Sequence, residues 1–544
     1  MTSRLLETPM LRWAFRPAGA GQLLIVPQDL RTADPSFWQE MLLGQFGLAG
    51  TTADLYDASP FAVRPPNIAW ERALHGFGWL RHLEAAQEPA AADAARRLAV
   101  EWIDRPTPAR GVVWEPAVTA RRVISWLSHS SLLLENAEVA TYDSISQSLS
   151  AQVQRLAATW RGAADSHPRL LCLTAIVLAD LCIDGHEGHL AGAEQALVAE
   201  LDRQILADGG HISRNAALSV ELLLDLLPLR QCFAARGRTV PASLQRVLAD
   251  AISILRYIRM GDGRLARFNG VSVASPASLA TVLAYDERPG TMVSAAPSSK
   301  YVRLERGTTI VVADAGSAPP LEFAGDAHAG CLSFELSTRQ HLVIVNGGAP
   351  GPADLEWLPR ARATASHNTL TVGETSSSRL VADRRLKRLV GSTPIQGPAR
   401  VTTKVEGIED AIAWTASHDG YVKRYGLVHH RRLSLSGPNG EVLEGVDLLS
   451  GVQSGYRLAT DIPFAIHFHL HPEIRSRVAE DNSGVELETA DGEVWRFSCP
   501  NMPATIEESV YFADSSGPRR ALQMVLRGAT YGETEVRWRL ERRA

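Results

Sequence analysis

Residues 208–227 read Asp-Gly-Gly-His-Ile-Ser-Arg-Asn-Ala-Ala-Leu-Ser-Val-Glu-Leu-Leu-Leu-Asp-Leu-Leu, a polar turn followed by an apolar run. The two glycines let the backbone turn sharply. Polar side chains come directly after them, at His211, Ser213, Arg214 and Asn215. The leucines that follow at three- and four-residue spacing predict a helix. The segment is typical either of an active-site loop that opens onto a helical core or of a helix start capped by Ser213 or Asn215.

The composition indicates a globular protein with more than one domain. The chain has 544 residues, of which 45% are hydrophobic and 21% are charged, and this length favours two or more cores. The formal net charge of -5 comes without a basic block. Because phosphate binding needs a concentrated Lys and Arg surface, nucleic acid is not expected as the main partner.

Cysteine usage and the N-terminal sequence bear on the compartment. The five cysteines are widely spaced, at Cys172, Cys182, Cys232, Cys331 and Cys499, and they show no disulfide framework or zinc-ribbon spacing. This pattern favours a reducing compartment. Residues 1–29 show no apolar core of an export signal, and we expect no membrane-spanning segment. The compartment stays open at this point.

Helical periodicity dominates the first half of the chain. Apolar residues at three- and four-residue spacing predict helices over Ile68–Gln87, Ala91–Ile103, Thr119–Leu134, Ser144–Trp160, Arg169–Leu181, Ala191–Leu206, Ala216–Ala234 and Pro241–Tyr257. Short connections between helices of similar length indicate antiparallel hairpins in a bundle, solenoid or toroid. The absence of a fixed-length sequence repeat disfavours the solenoid.

The period changes to two at about residue 300. Alternating runs predict strands that begin near Tyr301, Thr308, Cys331, His341, Thr369, Leu427, Phe464, Val494, Ala521 and Thr534. The Ala-, Ser- and Pro-rich segment 286–299 marks the boundary. The sequence therefore predicts an α+β multidomain protein, with a helical domain over residues 1–290 and an antiparallel β domain over residues 300–544.

Two histidines stand where loops meet predicted strands. His328 lies in Asp326-Ala-His-Ala-Gly, His367 lies in Ala365-Ser-His-Asn-Thr, and Asn346 ends the strand between them. Two imidazoles and an oxygen ligand from neighbouring strands can hold a zinc ion. Hydrogen-bonded structural histidines are the alternative interpretation.

Two further groups of residues could bind a substrate. Gly261-Asp-Gly-Arg264 and Arg267-Phe-Asn269-Gly follow the last predicted helix, where an ordinary turn and hairpin are the alternative. Trp114 precedes a helix start that carries two arginines. Sugars stack on indole rings and acidic groups pair with arginines, although core tryptophans and surface arginines are the simpler explanation.

Taken in order, these motifs resemble the heparinase II/III-like family, which is built around polysaccharide lyases. The resemblance rests on Asp208-Gly-Gly-His-Ile-Ser-Arg-Asn, the Asp-Gly-Arg and Phe-Asn-Gly pair, Ala327-His-Ala and Ala365-Ser-His-Asn-Thr, and it runs from about Trp114 to the end of the chain. It implies an N-terminal incomplete (α/α) toroid followed by a C-terminal antiparallel β-sandwich. It also implies cleavage of uronate-containing glycans by β-elimination, with no organic cofactor.

The resemblance assigns provisional roles to individual residues. His211 and Asn215 would lie beside the uronate carboxylate, and Asp326 or Tyr257 would handle protons. The substrate would be bound by Arg214, Trp114, Arg264 and Asn269. A structural zinc, common in the family, would take His328 and His367 as ligands, with Asn346 in the third position.

The chain departs from the family pattern at several of these positions. Leu218 and Ser219 stand where active members of the family tend to have Asn-His or Tyr-His. Asp326 replaces a histidine, and Asn346 replaces an aspartate. The departures leave three hypotheses: a lyase that acts on an acidic polysaccharide, a catalytically degenerate glycan-binding or cell-envelope-associated protein, and a glycoside hydrolase that uses Glu115, Asp262 and Asp326.

Overall fold

The computed structural model describes two compact units. The described residues are 22–106, 111–186, 190–273, 276–287, 290, 292–385, 387, 393–408, 410–453, 457–480 and 484–543, so most of the segment analysed for an export signal lies outside them. The helical unit comprises the described residues up to Gln204 together with Val220–Ala249 and Ala280–Asp286. The β unit comprises Ile205–Ser219, Asp250–Leu279 and the described residues from Glu287 onward.

The first part of the chain is built from helices and one short hairpin. The helices are α1 Ser36–Leu42, α2 Ile68–Gly76, α3 Leu80–Ala86, α4 Pro89–Asp104, α5 Pro116–Ser128, α6 Ser130–Leu134, α7 Val139–Thr159, α8 His167–Cys182, α9 Leu190–Gln204, α10 Ala216–Ala235, α11 Ala242–Tyr257 and α12 Pro276–Ala284. The hairpin pairs β1 Gln45–Leu48 with β2 Thr51–Asp54. Local chemistry sets several helix starts: Asn67 accepts a hydrogen bond from the Trp70 amide, and proline occupies the first turn of α4, α5 and α8.

Helix α8 forms the centre of the helical unit. Every residue from Leu170 to Cys182 is buried, and the helix packs against α5 and α9. A helix that is apolar around its whole circumference must be covered on all sides. The leucines of α10 from Leu222 to Leu224 are buried in the same way. This packing of α8 between neighbouring helices is the arrangement expected for the predicted incomplete (α/α) toroid.

The predicted helix Ile68–Gln87 is wrong in its continuity, because the chain breaks between α2 and α3. Phe77 has a left-handed backbone, with φ of 56°. Its ring packs 5.0 Å from the Trp79 ring and 5.4 Å from the Trp126 ring. The break places three aromatic side chains in one core, which repays the unfavourable backbone of a non-glycine residue.

The predicted helix Thr119–Leu134 is likewise interrupted, at His129. The His129 ring is buried, with Nδ1 2.7 Å from a Glu84 oxygen and Nε2 3.4 Å from Asp29 Oδ2. Asp29 also accepts a hydrogen bond from Arg81. These partners come from distant parts of the sequence, so the periodicity of residues 119–134 alone could not reveal the break.

The β unit contains three large antiparallel sheets. Their strands are β3 Tyr301–Arg306, β4 Thr309–Asp314, β5 Phe334–Thr338, β6 His341–Ile344, β7 Leu370–Val372, β10 Val401–Ile408, β11 Ala411–His418, β12 Leu427–Ser436, β13 Val442–Gly451, β14 Ile462–His469, β15 Arg475–Val478, β16 Val485–Glu488, β17 Val494–Ser498, β18 Ala504–Tyr511, β19 Arg519–Thr530 and β20 Thr534–Arg542. The strand orders are β10-β11-β12-β13-β20-β17-β16-β15, β18-β19-β14-β7 and β3-β4-β5-β6. A further pair joins β8 Arg379–Leu380 to β9 Ile395–Gln396, and short helices α13 Leu358–Ala361 and α14 Val422–Tyr425 lie between strands.

One hydrophobic core joins the three sheets. Phe334 of β5 stacks on Trp538 of β20, with ring centroids 5.7 Å apart and planes 11° apart. Phe468 of β14 meets the same indole edge-on at 4.9 Å. Side chains from all three sheets belong to this cluster of buried residues. Packing of sheets face to face through alternate side chains confirms the predicted β-sandwich.

A buried polar chain crosses this apolar core. The Gly420 amide donates to His418 Nδ1, so His418 Nε2 donates to His429 Nδ1 at 3.3 Å. His429 Nε2 in turn donates to Asp447, which Arg431 and the Trp538 indole also contact. Burial lowers the pKa of both histidines. In this series of hydrogen bonds both histidines are therefore neutral, and the charges lie on Arg431 and Asp447.

Within the described residues, no helix combines the length and the apolar character needed to cross a membrane.

We predict that Asp180→Asn stabilises the protein, and more so as the pH rises. Asp180 of α8 is 1% exposed, and neither carboxylate oxygen has a hydrogen-bond partner among the described residues. Burial raises its pKa from 3.8 to about 7. The folded state thus holds this proton more tightly than the unfolded chain, so stability is lost as the pH rises from about 4 through about 7. We expect about 4 kcal/mol of gain for the variant above pH 7.

Urea unfolding between about pH 5 and pH 8 measures this gain. The exposed Asp184→Asn is the matched control, for which we expect no pH-dependent difference from the unsubstituted protein. An Asp180→Asn variant whose advantage is equal at both pH values would contradict the assignment of a buried, isolated carboxyl group.

Candidate functional site

The glycine turn before α10 has the sharp geometry that the sequence predicts. The Leu206 amide donates to the Gly210 carbonyl at 2.8 Å. Gly209 has φ of +87°, and a Cβ atom there would lie 2.1 Å from the Asp250 carbonyl oxygen. Asp208 fixes the turn, because its carboxylate accepts hydrogen bonds from the Ser298 and Ser299 amides at 2.8 and 2.7 Å. The loop that carries His211 to Asn215 therefore has one defined path.

Arg214 is buried within the β unit. Its guanidinium pairs with Asp314 at the end of β4 and donates to the Ser299 and Ser317 carbonyls at 2.9 and 3.0 Å. The backbone is left-handed here, with φ of 62°. Gly316 leaves room for the guanidinium, since a Cβ at that position would lie 2.5 Å from Arg214 Cζ. The contacts occupy the guanidinium fully enough to make Arg214 part of the framework.

Tyr301 and Asn269 complete the surroundings of this ion pair. The Tyr301 hydroxyl donates to the Arg214 carbonyl. Asn269 Nδ2 donates to the Tyr301 hydroxyl and to Asp314 Oδ2, each at 3.1 Å, and its Oδ1 accepts from the His328 amide at 3.2 Å. The side chains of Tyr301, Asn269 and Asp314 thus surround Arg214, and His328 takes part through its backbone amide. All five residues are buried.

Asn215 connects the helix start to Asp326. Its Oδ1 accepts the Ala217 amide at 3.0 Å, which confirms the predicted cap of α10, and its Nδ2 donates to Asp326 Oδ2 at 3.3 Å. Asp326 is exposed as a residue, yet desolvation of its carboxyl by the surrounding protein raises the pKa of that group, while Asn215 and Arg362 oppose the rise. A Cβ at Gly270 would lie 2.7 Å from Asp326 Cβ. Glycine at that position therefore permits the contact between Asn215 and Asp326.

His328 and His367 lie together behind this pair. His367 Nδ1 donates to the Ala363 carbonyl at 2.8 Å, so its Nε2 accepts from His328 Nδ1 at 3.1 Å. Burial lowers the pKa of both rings, that of His367 to about 4. His328 Nε2 is buried and has no hydrogen-bond partner in the described part of the chain. The two neutral rings form the hydrogen-bonded pair that the sequence left as one alternative.

The predicted zinc ligands do not fit a zinc site in this arrangement. Asn346 Oδ1 accepts the Asn368 amide at 3.0 Å, which fixes the orientation of the side-chain amide and leaves its Nδ2, a donor, without a partner among the described residues. A donor cannot ligate a metal. Over the same residues, no three His, Cys, Asp or Glu side chains form a group that could hold a metal ion. The structure thus gives no support to zinc at these residues.

Of the remaining candidate residues, His211 lines a small pocket together with Arg214, Asn215 and Tyr301, whereas Tyr257, Arg264 and Trp114 have other partners. His211 is buried, with Nδ1 2.7 Å from Ser213 Oγ. The Tyr257 hydroxyl accepts the Arg303 amide at 3.0 Å, and burial raises its pKa. Arg264 is half-exposed beside Asp262. Trp114, in the helical unit, is contacted on its ring by Arg155, whose Cζ lies 4.2 Å from the ring centroid.

The sequence did not indicate the roles of Tyr301 and Asp314, which bind the polar loop to strands β3 and β4. Both are strand residues, at the start of β3 and the end of β4, and the two are paired in register. Periodicity identified the strands, but it gave no reason to connect their end residues with Arg214. An acidic residue that ends an otherwise apolar strand, as in Thr-Ile-Val-Val-Ala-Asp314, is the one signal that was available.

A helical toroid followed by an antiparallel sandwich, with a polar loop delivered to the sandwich, is the fold of a class of polysaccharide lyases. The model of the heparinase II/III-like C-terminal domain matches residues 288–539. The chain is also 31% identical over 540 residues to FtsZ-localized protein C of Caulobacter vibrioides, a match that covers 96% of this chain and 90% of the relative. The chain belongs to the heparinase II/III-like family.

Solved structures show the same fold at low identity. The crystal structure of heparinase III matches with a TM-score of 0.72 and 12% identity, over 99% of this chain and 91% of that one. A mutant of heparan sulfate lyase HepC from Pedobacter heparinus matches with a TM-score of 0.62 and 15% identity, over 97% of this chain and 84% of that one. These likenesses establish the polysaccharide lyase fold for nearly the whole chain.

We predict that the Arg214–Asp314 pair is required for the stability of the β unit. Arg214→Met leaves the Asp314 carboxylate buried without its cation, which costs about 3–5 kcal/mol. The double variant Arg214→Met/Asp314→Leu should lose less, because no unpaired charge remains. Urea unfolding measures both, with Arg537→Met from the exposed Arg537–Glu535 pair as the control. Equal losses for the single and double variants would contradict this explanation.

We predict that the protein is purified without stoichiometric zinc and that Asn346→Asp raises its zinc content. The carboxylate would place an acceptor oxygen where the amide Nδ2 now stands. Elemental analysis after dialysis measures the difference, and the exposed Asn501→Asp is the control. A zinc ion retained by the unsubstituted protein and lost in His328→Ala and His367→Ala would show that these residues hold zinc after all.

Proposed function

We propose that this protein cleaves an acidic, uronate-containing polysaccharide by β-elimination. The observation that carries the proposal is the contact between Asn215 and Asp326, which sets an amide donor 3.3 Å from a carboxyl whose pKa is raised by desolvation. The lyase fold supplies the context, and the glycosaminoglycan lyases named above share that fold. No organic cofactor is needed for this reaction.

The proposed reaction needs a charge-neutralising group and a proton carrier. A donor near the uronate carboxylate makes the proton on the neighbouring carbon removable, and a base takes that proton. The electron pair of the broken C–H bond forms the new carbon–carbon double bond. The glycosidic carbon–oxygen bond breaks, and the departing oxygen takes a proton from an acid. We assign the neutralising role to Asn215 with His211, and proton transfer to Asp326.

Other residues support this site in the proposal. Arg214 pairs with Asp314, so it acts as a positioning residue for Asn215, its neighbour in the chain. Asn269 has the same role, because it binds both Tyr301 and Asp314. Trp114 and Arg264 are proposed to contact more distant sugars of a long substrate. Tyr257 is a second candidate for proton transfer, although the Arg303 amide already donates to its hydroxyl.

A second candidate function is glycan binding without cleavage, in association with the cell envelope. Leu218 and Ser219, which carry no charge and no imidazole, follow the cap of α10 and favour this candidate. The Tyr257 hydroxyl is occupied, as described above. The relative from Caulobacter vibrioides is named for its localisation with FtsZ rather than for a reaction. A protein that kept the fold and lost the reaction would combine these features.

Product formation distinguishes the two candidates. We expect the purified protein to generate the absorbance of an unsaturated uronate from at least one glycan in a panel of glycosaminoglycans and bacterial uronate polymers. Asp326→Asn and Asn215→Ala should each lower the rate by roughly 100-fold or more, the usual range for loss of a proton-transfer or charge-stabilising group. The exposed Asp143→Asn is the control and should keep full activity.

A binding measurement with the same glycans tests for the outcome that would contradict the lyase proposal. Glycan binding without any unsaturated product, unchanged by Asp326→Asn, would overturn the lyase proposal and support the second candidate. Product formation that survives Asp326→Asn but is lost in Tyr257→Phe would move the proton transfer to Tyr257.

A further inference from the structure

The β unit contains a cavity that is separate from the Asn215–Asp326 cluster, because none of the residues of that cluster lines it. It has a volume of about 570 Å³, and its lining includes Trp357, His471, Pro472, Glu508, Arg519 and Arg520. These residues come from the loop before α13, the chain after β14, and strands β18 and β19. A cavity of this size lies within the range of sites that bind small ligands, roughly 300–1,000 Å³.

Trp357 gives this cavity an aromatic wall. The residue is half-buried, and its ring centroid lies 5.9 Å from that of Phe512, with the planes tilted by 48°. Arg360 Cζ lies 5.3 Å from the same indole centroid. Trp357 nevertheless lines the cavity, and an indole ring in a cavity wall is a surface on which the apolar face of a sugar can stack.

Two guanidinium groups and one carboxylate line the cavity, those of Arg519, Arg520 and Glu508. Arg520 is 93% exposed and only 3.9 Å from the exposed Glu508, and Arg519 is half-exposed beside Asp514. Burial, followed by Arg267, Arg264 and Arg519, lowers the pKa of His471 to about 3. The ring is therefore neutral, and its Nδ1 accepts a hydrogen bond from the Glu473 amide at 3.4 Å. Arg264, a candidate from the sequence, is one of the groups whose charge lowers the pKa of His471.

We propose that this cavity is a second saccharide-binding site, which takes a short acidic oligosaccharide segment. Trp357 would stack on a sugar ring, and Arg519 and Arg520 would pair with carboxylate or sulfate groups. Their planar guanidinium groups suit such anions, and one aromatic wall suits the flat face of a pyranose. The proposal rests on the proposed function for the class of ligand. It adds a second point of attachment, so that a long polysaccharide would bind more tightly than a short one.

Isothermal titration with a heparin-derived tetrasaccharide tests the site. The titration uses the Asp326→Asn protein, so that cleavage is slowed while both sites can bind. We expect the Asp326→Asn protein to bind two tetrasaccharides per chain. Adding Arg519→Ala/Arg520→Ala or Trp357→Ala should reduce this number to one, or weaken binding at the second site at least tenfold. Arg519→Lys/Arg520→Lys should retain part of the affinity. The control Arg475→Ala/Arg477→Ala removes two exposed arginines of β15 and should change nothing.

The nature of the ligand is tested with three further probes: a neutral tetrasaccharide, a short polyglutamate and a single-stranded oligonucleotide. We expect the acidic tetrasaccharide to bind at least tenfold more tightly than each of them, with an affinity that weakens as salt is added. Equal binding of polyglutamate or the oligonucleotide would overturn the proposal, because the cavity would then be only a cationic surface. A midpoint of unfolding within the error of the parent protein establishes that each variant is folded.

The failure of this proposal can be told apart from the failure of the lyase proposal. Unchanged stoichiometry and affinity in both the Trp357→Ala and the Arg519→Ala/Arg520→Ala proteins would remove the second site, even if the glycan panel shows cleavage. Binding that depends on Trp357 and the two arginines, in a protein that forms no unsaturated product, would keep the site and remove the lyase.

Discussion

The buried ion pair between Arg214 and Asp314 constrains most of the candidate site. A guanidinium in an apolar interior is tolerated only when its charge and its donors are matched, and here Asp314 and two backbone carbonyls match them. The buried ion pair holds the backbone of Arg214 in its left-handed conformation. Because Asn215 is the next residue, the same constraint sets where its side chain begins and directs it to Asp326.

The polar cluster divides into a framework and an accessible edge. Arg214, Asn269 and Tyr301 are buried and bind mainly one another, and Asn269 extends the framework to the backbone of His328. Asp326 is the exposed member, and it is the side chain through which the proposed chemistry would act. A rigid network behind one exposed carboxyl is the usual way in which a site is held in place without adjustment during a reaction.

Periodicity predicted most helices because each has one apolar face or is apolar throughout, as in α8. It failed at Phe77 and His129, where backbone breaks are stabilised by side chains far away in the sequence. It also did not identify β13, whose Asp447 interrupts the apolar alternation. That carboxylate is buried in the strand because His429, Arg431 and Trp538 supply its hydrogen bonds. Such compensation cannot be read from a local pattern.

In the candidate site too, some features follow from neighbouring residues and others depend on distant contacts. The glycine turn, the helix cap at Asn215 and the order of the motifs were readable from the sequence, because each depends on neighbouring residues. The grouping of Ile205–Ser219 and Asp250–Leu279 with the β-rich part of the chain does not follow chain order, since it depends on contacts across many residues. Asn346 and Tyr257 were chosen as chemically suitable, and their partners became visible only in three dimensions.

The sequence by itself determined the class of fold, the change from helices to strands, and the polar loop before α10. It could do so because these features follow from backbone propensity and the spacing of apolar residues. Only the tertiary structure decided which polar side chains are occupied in the framework and which stay accessible. A buried polar group forms its hydrogen bond or ion pair with a partner that the local sequence does not contain. For Arg214 that partner is Asp314, and the pairing makes Arg214 a support for Asn215 rather than a ligand of the substrate.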